Sequence, residues 1–154
     1  MNAEGKAALD EVDKRIIEQL QQDGRRPYTQ IAPAVGLSEA AVRQRVQRLI
    51  DSGVMQIVGV TDPKMVGYGR QAMIGLSVDG DTRKIADAVA ALDEVVYVVL
   101  TAGSLDLLVE VVVEDDERLL DLLNKKIRTI DGVRDTETFM YLRIHKETYA
   151  WGAP

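Results

Sequence analysis

The sequence contains no cysteine, which excludes disulfides, thiolate zinc sites and a cysteine nucleophile. Histidine occurs once, at His145, without the partners that a catalytic triad needs. The chain has no run of about 18 uncharged apolar residues, and its first residues lack the basic start and apolar core of a signal peptide. These absences predict a cytoplasmic protein that is not an enzyme and carries no cofactor or metal ion.

The residues that are present are typical of a folded protein. The 154 residues are 46% hydrophobic and 29% charged, and this length allows either one domain or two small ones. The net charge of -6 argues at first against nucleic acid, but residues 24–50 carry five arginines against one glutamate, a net charge of +4. Because DNA binding requires cations that neutralise phosphates, this stretch predicts where DNA would bind.

Helical spacing of apolar residues predicts three helices in the first third of the chain. The first follows a cap at Asp10 and ends before the breaker at 23–24, and the second spans about 28–35. Ser38 is the predicted N-cap of the third helix, which continues without a breaker to residue 50. The spacing therefore indicates a helix-turn-helix at about residues 28–50.

The third helix has two chemically different faces. Val42, Val46 and Leu49 share one face and are expected to pack against the other helices. The opposite, exposed face carries four residues. They are Ala40, Arg43, Gln44 and Gln47. An exposed polar face of this kind is either a DNA-reading surface or an ordinary solvated helix surface.

Beyond residue 53 the pattern changes to that of strands, and the predicted class is α+β. Residues 54–61 are predicted as a strand, followed by a flexible Gly-Tyr-Gly at 67–69. The predicted strands are 71–78, 95–101, 105–113 and 134–145, and the predicted helices are 82–92 and 116–129. The order βαββαβ indicates a ferredoxin-like sheet with both helices on one face. Alternation along the last strand puts Met140, Leu142 and Ile144 on one side and Phe139 and Tyr141 on the other, so neither face is polar, and a second subunit is expected to cover the face without helices.

A series of short motifs occurs in a distinctive order. They are Leu9-Asp10-x-x-Asp13, Asp23-Gly24-Arg25, Ile31-Ala32-x-x-Val35-Gly36-Leu37-Ser38, Val42-x-x-Arg45-x-x-Arg48-Leu49, Gly53-Val54, the run from Thr101 to Val109 with Gly103-x-x-Asp106, and Gly132-Val133-Arg134. The chain resembles the Lrp/AsnC (feast/famine) regulators of bacteria and archaea from residue 9 to about 144.

The resemblance implies a winged helix-turn-helix in residues 1–53, a connecting strand and linker in 54–69, and a ferredoxin-like effector-binding (RAM) domain in 70–154 that dimerises and often forms octamers. Members usually sense amino acids or related metabolites. The chain departs from the family at Pro27, where many relatives have a serine cap. Pro33, inside the second helix, removes a backbone hydrogen bond at a cost of about 3 kcal/mol, so that helix is expected to be kinked or to start late.

In this architecture the third helix would enter the major groove. Arg43 is expected to read guanine, and Gln44 and Gln47 adenine. Arg25, Arg26 and Arg48 are expected to contact phosphates, whereas Arg45 is either a phosphate contact or a structural ion pair. The predicted DNA-binding set is completed by Ser38 and Ala40.

The effector is expected at the turn Gly103 to Asp106, which includes Ser104. Backbone N–H groups of such a turn can hold a carboxylate, and an aspartate can pair with an ammonium group. The alternative is a plain hairpin turn. The resemblance implies that Thr136 and Thr138 line the same pocket. The acidic run at 114–117 lacks the spacing of a cation loop and is interpreted as a helix start.

The sequence therefore predicts a sequence-specific regulator that binds double-stranded DNA and responds to an amino acid or derivative. It is expected to act as a homodimer or octamer and not at a membrane. Two alternatives remain at this point. One is an architectural DNA-binding protein of low sequence specificity, and the other is a metabolite-binding module without a DNA function.

Overall fold

The computed structural model describes residues 9–154, which form two compact units. One unit holds residues 9–60 together with Lys146–Pro154, and the other holds Thr61–His145. No helix in the described part of the chain is both long and apolar enough to cross a membrane.

The first unit contains three helices, α1 (Glu11–Gln22), α2 (Tyr28–Val35) and α3 (Glu39–Asp51). The side chains of Asp10 and Asp13 form a capping box that starts α1. The core is made by apolar residues of all three helices. Its buried members are Ile16, Ile17, Leu20, Ile31, Ala32, Val35, Val42, Val46 and Leu49. The predicted helices and the predicted packing face of α3 are confirmed.

The two prolines do not delay α2. Pro27 is its N-cap in an extended conformation, and the helix continues through Pro33 to the left-handed Gly36. Ile31 and Val35 are buried on the core side, while Pro33 is exposed. Burial of this face therefore maintains the helix past the missing N–H, and the expected late start is wrong.

The predicted strand at residues 54–61 does not form. No strand within residues 9–154 pairs with this segment, so its backbone groups have no ladder to join. Ile57, Val58 and Val60 are 44%, 67% and 61% exposed. The next regular element is a 3₁₀ turn at Pro63–Val66. A β-hairpin wing after α3 is likewise absent from the described residues.

The second unit has the predicted order βαββαβ. Its elements are β1 (Arg70–Val78), α4 (Thr82–Ala90), β2 (Val95–Leu100), β3 (Leu107–Val113), α5 (Asp116–Asp121) and β4 (Val133–Met140). The sheet order is β2-β3-β1-β4 with every neighbouring pair antiparallel. This is the ferredoxin-like arrangement, and the predicted fold class is confirmed.

Alternation along the strands separates the two faces of the sheet. Ile74, Leu76 and Val109 are fully buried in one cluster with residues of α4 and α5. Tyr97 and Phe139 lie on the opposite face, where they are 51% and 45% exposed. The single core is thus on the helix side of the sheet.

The second helix of this unit is not uniform, although one helix was predicted from 116 to 129. After α5 the chain forms a π turn (Leu122–Lys126) and then a 3₁₀ turn (Ile127–Thr129). Leu122 and Ile127 are both buried and lie five residues apart. A π turn, with its i→i+5 bonds, allows both residues to face the core.

The last residues depart from the predicted domain limits, which placed all of 70–154 in one domain. The β4 strand ends at Met140, and residues 146–154 associate with the helical unit. There the Gly152 N–H donates to Gln21 Oε1 at 2.9 Å, and Ala153 packs on the helical core. Through these contacts the last nine residues belong to the helical unit and not to the sheet.

Candidate nucleic-acid interface and effector loop

The α3 helix presents the predicted reading face to solvent. Ser38 caps the helix, because its Oγ accepts the Ala41 N–H at 3.2 Å. An open groove runs along the exposed side. Its lining residues are Ala40, Arg43, Gln44, Arg45, Gln47, Arg48, Asp51 and Ser52. All four predicted base-facing residues are therefore brought together on one surface.

Arg43 is held by two neighbours that the sequence analysis did not select. Its Nη2 donates to Glu39 Oε1 at 2.8 Å, and its Cζ lies 5.3 Å from the centroid of the Tyr28 ring. The side chain is still 66% exposed. The i, i+4 spacing of Glu39 and Arg43 could have indicated the ion pair, but no sequence pattern indicated Tyr28.

Two of the three predicted phosphate contacts, Arg25 and Arg26, lie in the turn between α1 and α2. The Arg25 side chain is exposed, and Arg26 donates a hydrogen bond to Gln19 Oε1. Neither arginine lines the groove along α3.

Arg45 and Arg48 bind carboxylates at the start of α1. Arg45 Nη1 donates to Asp10 Oδ2 at 2.6 Å and to Asp13 Oδ1 at 2.8 Å, and Arg48 Nη2 donates to Asp13 Oδ2 at 2.6 Å. The Asp13 N–H and Arg45 lower the pKa of Asp10, while the bond to Asp10 raises the pKa of Arg45. Because these aspartates lie outside residues 24–50, the local charge of +4 overstates the charge of the folded surface.

The predicted effector turn is the loop between β2 and β3. Thr101 N–H donates to the Asp106 carbonyl at 2.9 Å, and the Asp106 N–H donates to the Leu76 carbonyl at 2.8 Å. The Asp106 carboxylate accepts the Val78 N–H at 2.8 Å. Asp106 is thus joined to both neighbouring strands, and one carboxylate oxygen already has a structural partner.

Gly103 and Ser104 form the exposed tip of this loop. Gly103 is not among the glycines with positive φ, and a Cβ built on it would meet no atom within 4 Å. The backbone conformation itself therefore does not require glycine. The space beside Gly103 is open to a ligand.

Thr136 and Thr138 lie on β4 and pair across the sheet with Leu76 and Ile74. Both threonines face the helix side and are half-buried. Because Asp106 also bonds to Leu76, Asp106 and Thr136 flank one strand and lie about 10 Å apart by strand spacing.

Arg128 also contacts this group of residues, although the sequence analysis did not single it out. Its Nε and Nη2 donate to Thr136 Oγ1 at 3.0 and 2.9 Å, and its Nη1 donates to Asn124 Oδ1 at 2.8 Å. The short turns that follow α5 carry Asn124 and Arg128, and neither turn was predicted.

The acidic run at 114–117 serves the start of α5, as predicted. Asp115 caps the helix by accepting the Arg118 N–H at 2.8 Å. Asp116 pairs with Arg70 at 2.5 Å, and this arginine lowers the pKa of the Asp116 carboxyl. Asp115 and Asp116 therefore have partners within the fold.

Two family models match the chain in the order of its two units. Residues 9–50 match the AsnC-type helix-turn-helix domain, and residues 71–151 match the Lrp/AsnC ligand binding domain. The chain belongs to the Lrp/AsnC family of transcriptional regulators. The resemblance inferred from the motifs is confirmed, and with it a DNA-binding domain followed by a ligand-binding domain.

Similar proteins support this assignment over nearly the full length. The HTH-type transcriptional regulator FL11 of Pyrococcus furiosus is 36% identical over 142 residues, which cover 91% of this chain and 93% of that protein. LrpA of Pyrococcus horikoshii is 36% identical over 129 residues, covering 81% and 90%.

Solved structures agree with the fold. AsnC of E. coli aligns with a TM-score of 0.80 at 27% identity, covering 90% of this chain and 95% of that one. A transcriptional regulator of Neisseria meningitidis in complex with L-Met aligns with a TM-score of 0.81 at 27% identity, covering 92% and 95%. These Lrp/AsnC proteins share both units with the present chain.

Proposed function

We propose that this Lrp/AsnC regulator reads a specific double-stranded operator with α3 and changes its DNA affinity or assembly when an amino acid or related metabolite binds its sheet domain. The observation that carries the DNA half is the exposed polar face of α3, where Arg43 is held by Glu39 and Tyr28. A pre-oriented arginine suits bidentate recognition of guanine in the major groove. Gln44 and Gln47 on the same face are the corresponding adenine readers.

The effector half rests on residues around β1. The open loop at Gly103 and Ser104 would receive the carboxylate of the ligand, and Asp106 would pair with its ammonium group. Thr136 and Thr138 would contact the remainder of the ligand. The complex of a related Neisseria regulator with L-Met supports an amino acid as the ligand class.

The active form proposed here is a homodimer or a larger assembly of dimers, such as an octamer. Exposed apolar side chains on the open face of the sheet, including Tyr97 and Phe139, suit a subunit contact. Two copies of α3 would then read half-sites about 34 Å apart, one turn of DNA. A regulator of transcription does not need to convert its effector chemically. The protein would act in the cytoplasm, where the DNA of a bacterium or archaeon lies.

Selection of bound duplexes from a random library, followed by footprinting, tests the DNA half. We expect an enriched, symmetric sequence that is protected at one-turn intervals. Equal affinity for the selected and a scrambled duplex at matched salt would instead identify an architectural protein.

A thermal-shift screen of the twenty amino acids and their keto acids tests the effector half. A ligand that binds the native state raises the melting temperature, and the same compound should alter operator affinity. The absence of any shift in the screen would contradict an amino-acid effector without affecting the DNA result.

A further inference from the structure

The Asp13 carboxylate is the only charged group among the buried side chains of the described residues, and its exposure is 0%. We propose that Asp13 is a positioning residue for operator recognition, which fixes α3 on α1 and directs Arg48 toward a DNA phosphate. This inference rests on the proposed function, because it assumes that α3 reads the operator.

Both Asp13 oxygens bind arginines of α3, at positions 45 and 48, about one helical turn apart. A buried carboxylate is costly unless such partners satisfy it, so the geometry of the pairs is strongly constrained. Two attachment points along α3 fix the rotation of the helix about its own axis as well as its distance from α1. Any rotation of α3 would move Arg43, Gln44 and Gln47 together.

The two arginines have different exposures. The Arg45 side chain is 28% exposed, and its Nη1 is shared by Asp10 and Asp13. The Arg48 side chain is 52% exposed while its Nη2 is held by Asp13. A guanidinium has five N–H donors in a rigid fork, so Arg48 can bind Asp13 and still donate to a phosphate. Arg45 then acts as a structural partner of the two aspartates and not as a DNA contact.

The ion pairs of Asp13 also limit the electrostatic attraction of the protein to DNA of any sequence. Asp13 offsets positive charge beside the reading face, so binding depends more on the fit of α3 to the groove. Substitution of Asp13 by asparagine removes one negative charge and one of the two acceptor oxygens, so at most one arginine keeps its bond to position 13, while Arg45 retains Asp10. We expect operator affinity to fall, while affinity for random duplex stays equal or rises with a steeper salt dependence, by about 0.9 in the log–log slope per added phosphate contact.

The experiment compares the full-length wild type and Asp13→Asn on two duplexes of equal length. One is an operator selected by the wild type, and the other is its scrambled sequence. We expect the ratio of the two affinities to fall at least tenfold in the variant. A fall of less than fivefold overturns the proposal, even if both affinities decrease, because a purely structural role would weaken both duplexes alike.

Three controls keep the result decisive. Asp10→Asn removes an outer partner of Arg45 but leaves both bonds of Asp13, so its affinity ratio should stay within fivefold of wild type. Asp13→Glu retains the charge and displaces the carboxylate by one methylene. If circular dichroism shows that Asp13→Asn is not folded, Asp13→Glu replaces it, and a fall of less than fivefold in its affinity ratio overturns the proposal. A wild type without preference for any selected duplex would contradict the proposed function itself, whereas a discriminating wild type with unchanged variants contradicts only the role of Asp13.

Discussion

The backbone N–H of Val78 donates a 2.8 Å hydrogen bond to the carboxylate of Asp106. Val78 is the last residue of β1, so this carboxylate secures the end of a central strand. Asp106→Ala would leave the part-buried N–H without its acceptor, which costs about 1–3 kcal/mol. We expect the free energy of unfolding in urea to fall by that amount even without an amino acid present.

Asp106→Asn separates this structural role from ligand binding. The asparagine Oδ1 can still accept the Val78 N–H, but the side chain carries no charge to pair with an ammonium group. The variant should keep nearly the wild-type stability and lose most of the thermal shift given by the amino acid that stabilises the wild type. A full shift in Asp106→Asn would show that Asp106 does not bind the ammonium group.

Arg43→Ala tests the reading face of α3. Loss of a bidentate arginine–guanine contact should remove about 1–3 kcal/mol of preference for the selected operator, and the preference for one base pair should disappear. Competition binding with operators changed at single positions measures both effects. Arg83→Ala, which removes an exposed arginine from α4, is the matched charge control. Equal losses in the two variants would argue against base reading by Arg43.

Local patterns predicted the parts of the fold that local forces determine. The cap at Ser38 and the buried face of Val42, Val46 and Leu49 follow from hydrogen bonding and helical periodicity within one element. The order βαββαβ follows in the same way from strand alternation and breakers. Neither prediction required knowledge of residues distant in the chain.

Contacts between distant residues account for what the sequence did not predict. Arg48 and Asp13 are 35 positions apart, and no periodicity connects them. Residues 54–61 have strand-like composition, but a strand also needs a partner for its backbone groups. The π turn at Leu122–Lys126 arises because Leu122 and Ile127 both pack in the core. In each case the presence or absence of tertiary partners determined the outcome.

The ion pairs predict a loss of stability in acid. Arg70 lowers the pKa of Asp116 from its ordinary value of 3.8, and Lys126 lowers the pKa of Glu94 from 4.5. A carboxyl group with a lowered folded pKa contributes its full stabilisation above the unfolded pKa and loses it as pH falls through the folded pKa. We expect the melting temperature to decrease below about pH 4, because the unfolded carboxyl groups then bind protons more readily than the folded ones.

Arg70→Gln provides the control for this acid transition. The substitution removes the cause of the lowered Asp116 pKa, so the melting temperature should fall less between pH 5 and pH 2 than in the wild type. The two proteins would be compared by calorimetry at equal ionic strength. Parallel curves for the two proteins would show that the Arg70–Asp116 pair makes no contribution to the acid dependence.

Gly132 should be the glycine of the sheet domain that tolerates a side chain least. Its φ is +89°, and a Cβ there would lie 2.6 Å from the Asp79 carbonyl oxygen. Gly132→Ala combines left-handed strain, which costs about 1–3 kcal/mol, with a backbone clash, and should lower the unfolding free energy by at least that amount. Gly80→Ala tests the strain alone, since its φ is +96° with nothing within 4 Å, and Gly103→Ala meets neither obstacle. In urea unfolding, Gly103→Ala should be the most stable variant, Gly80→Ala intermediate and Gly132→Ala the least stable. Equal stability of Gly80→Ala and Gly132→Ala would show that the backbone beside Gly132 moves to relieve the clash.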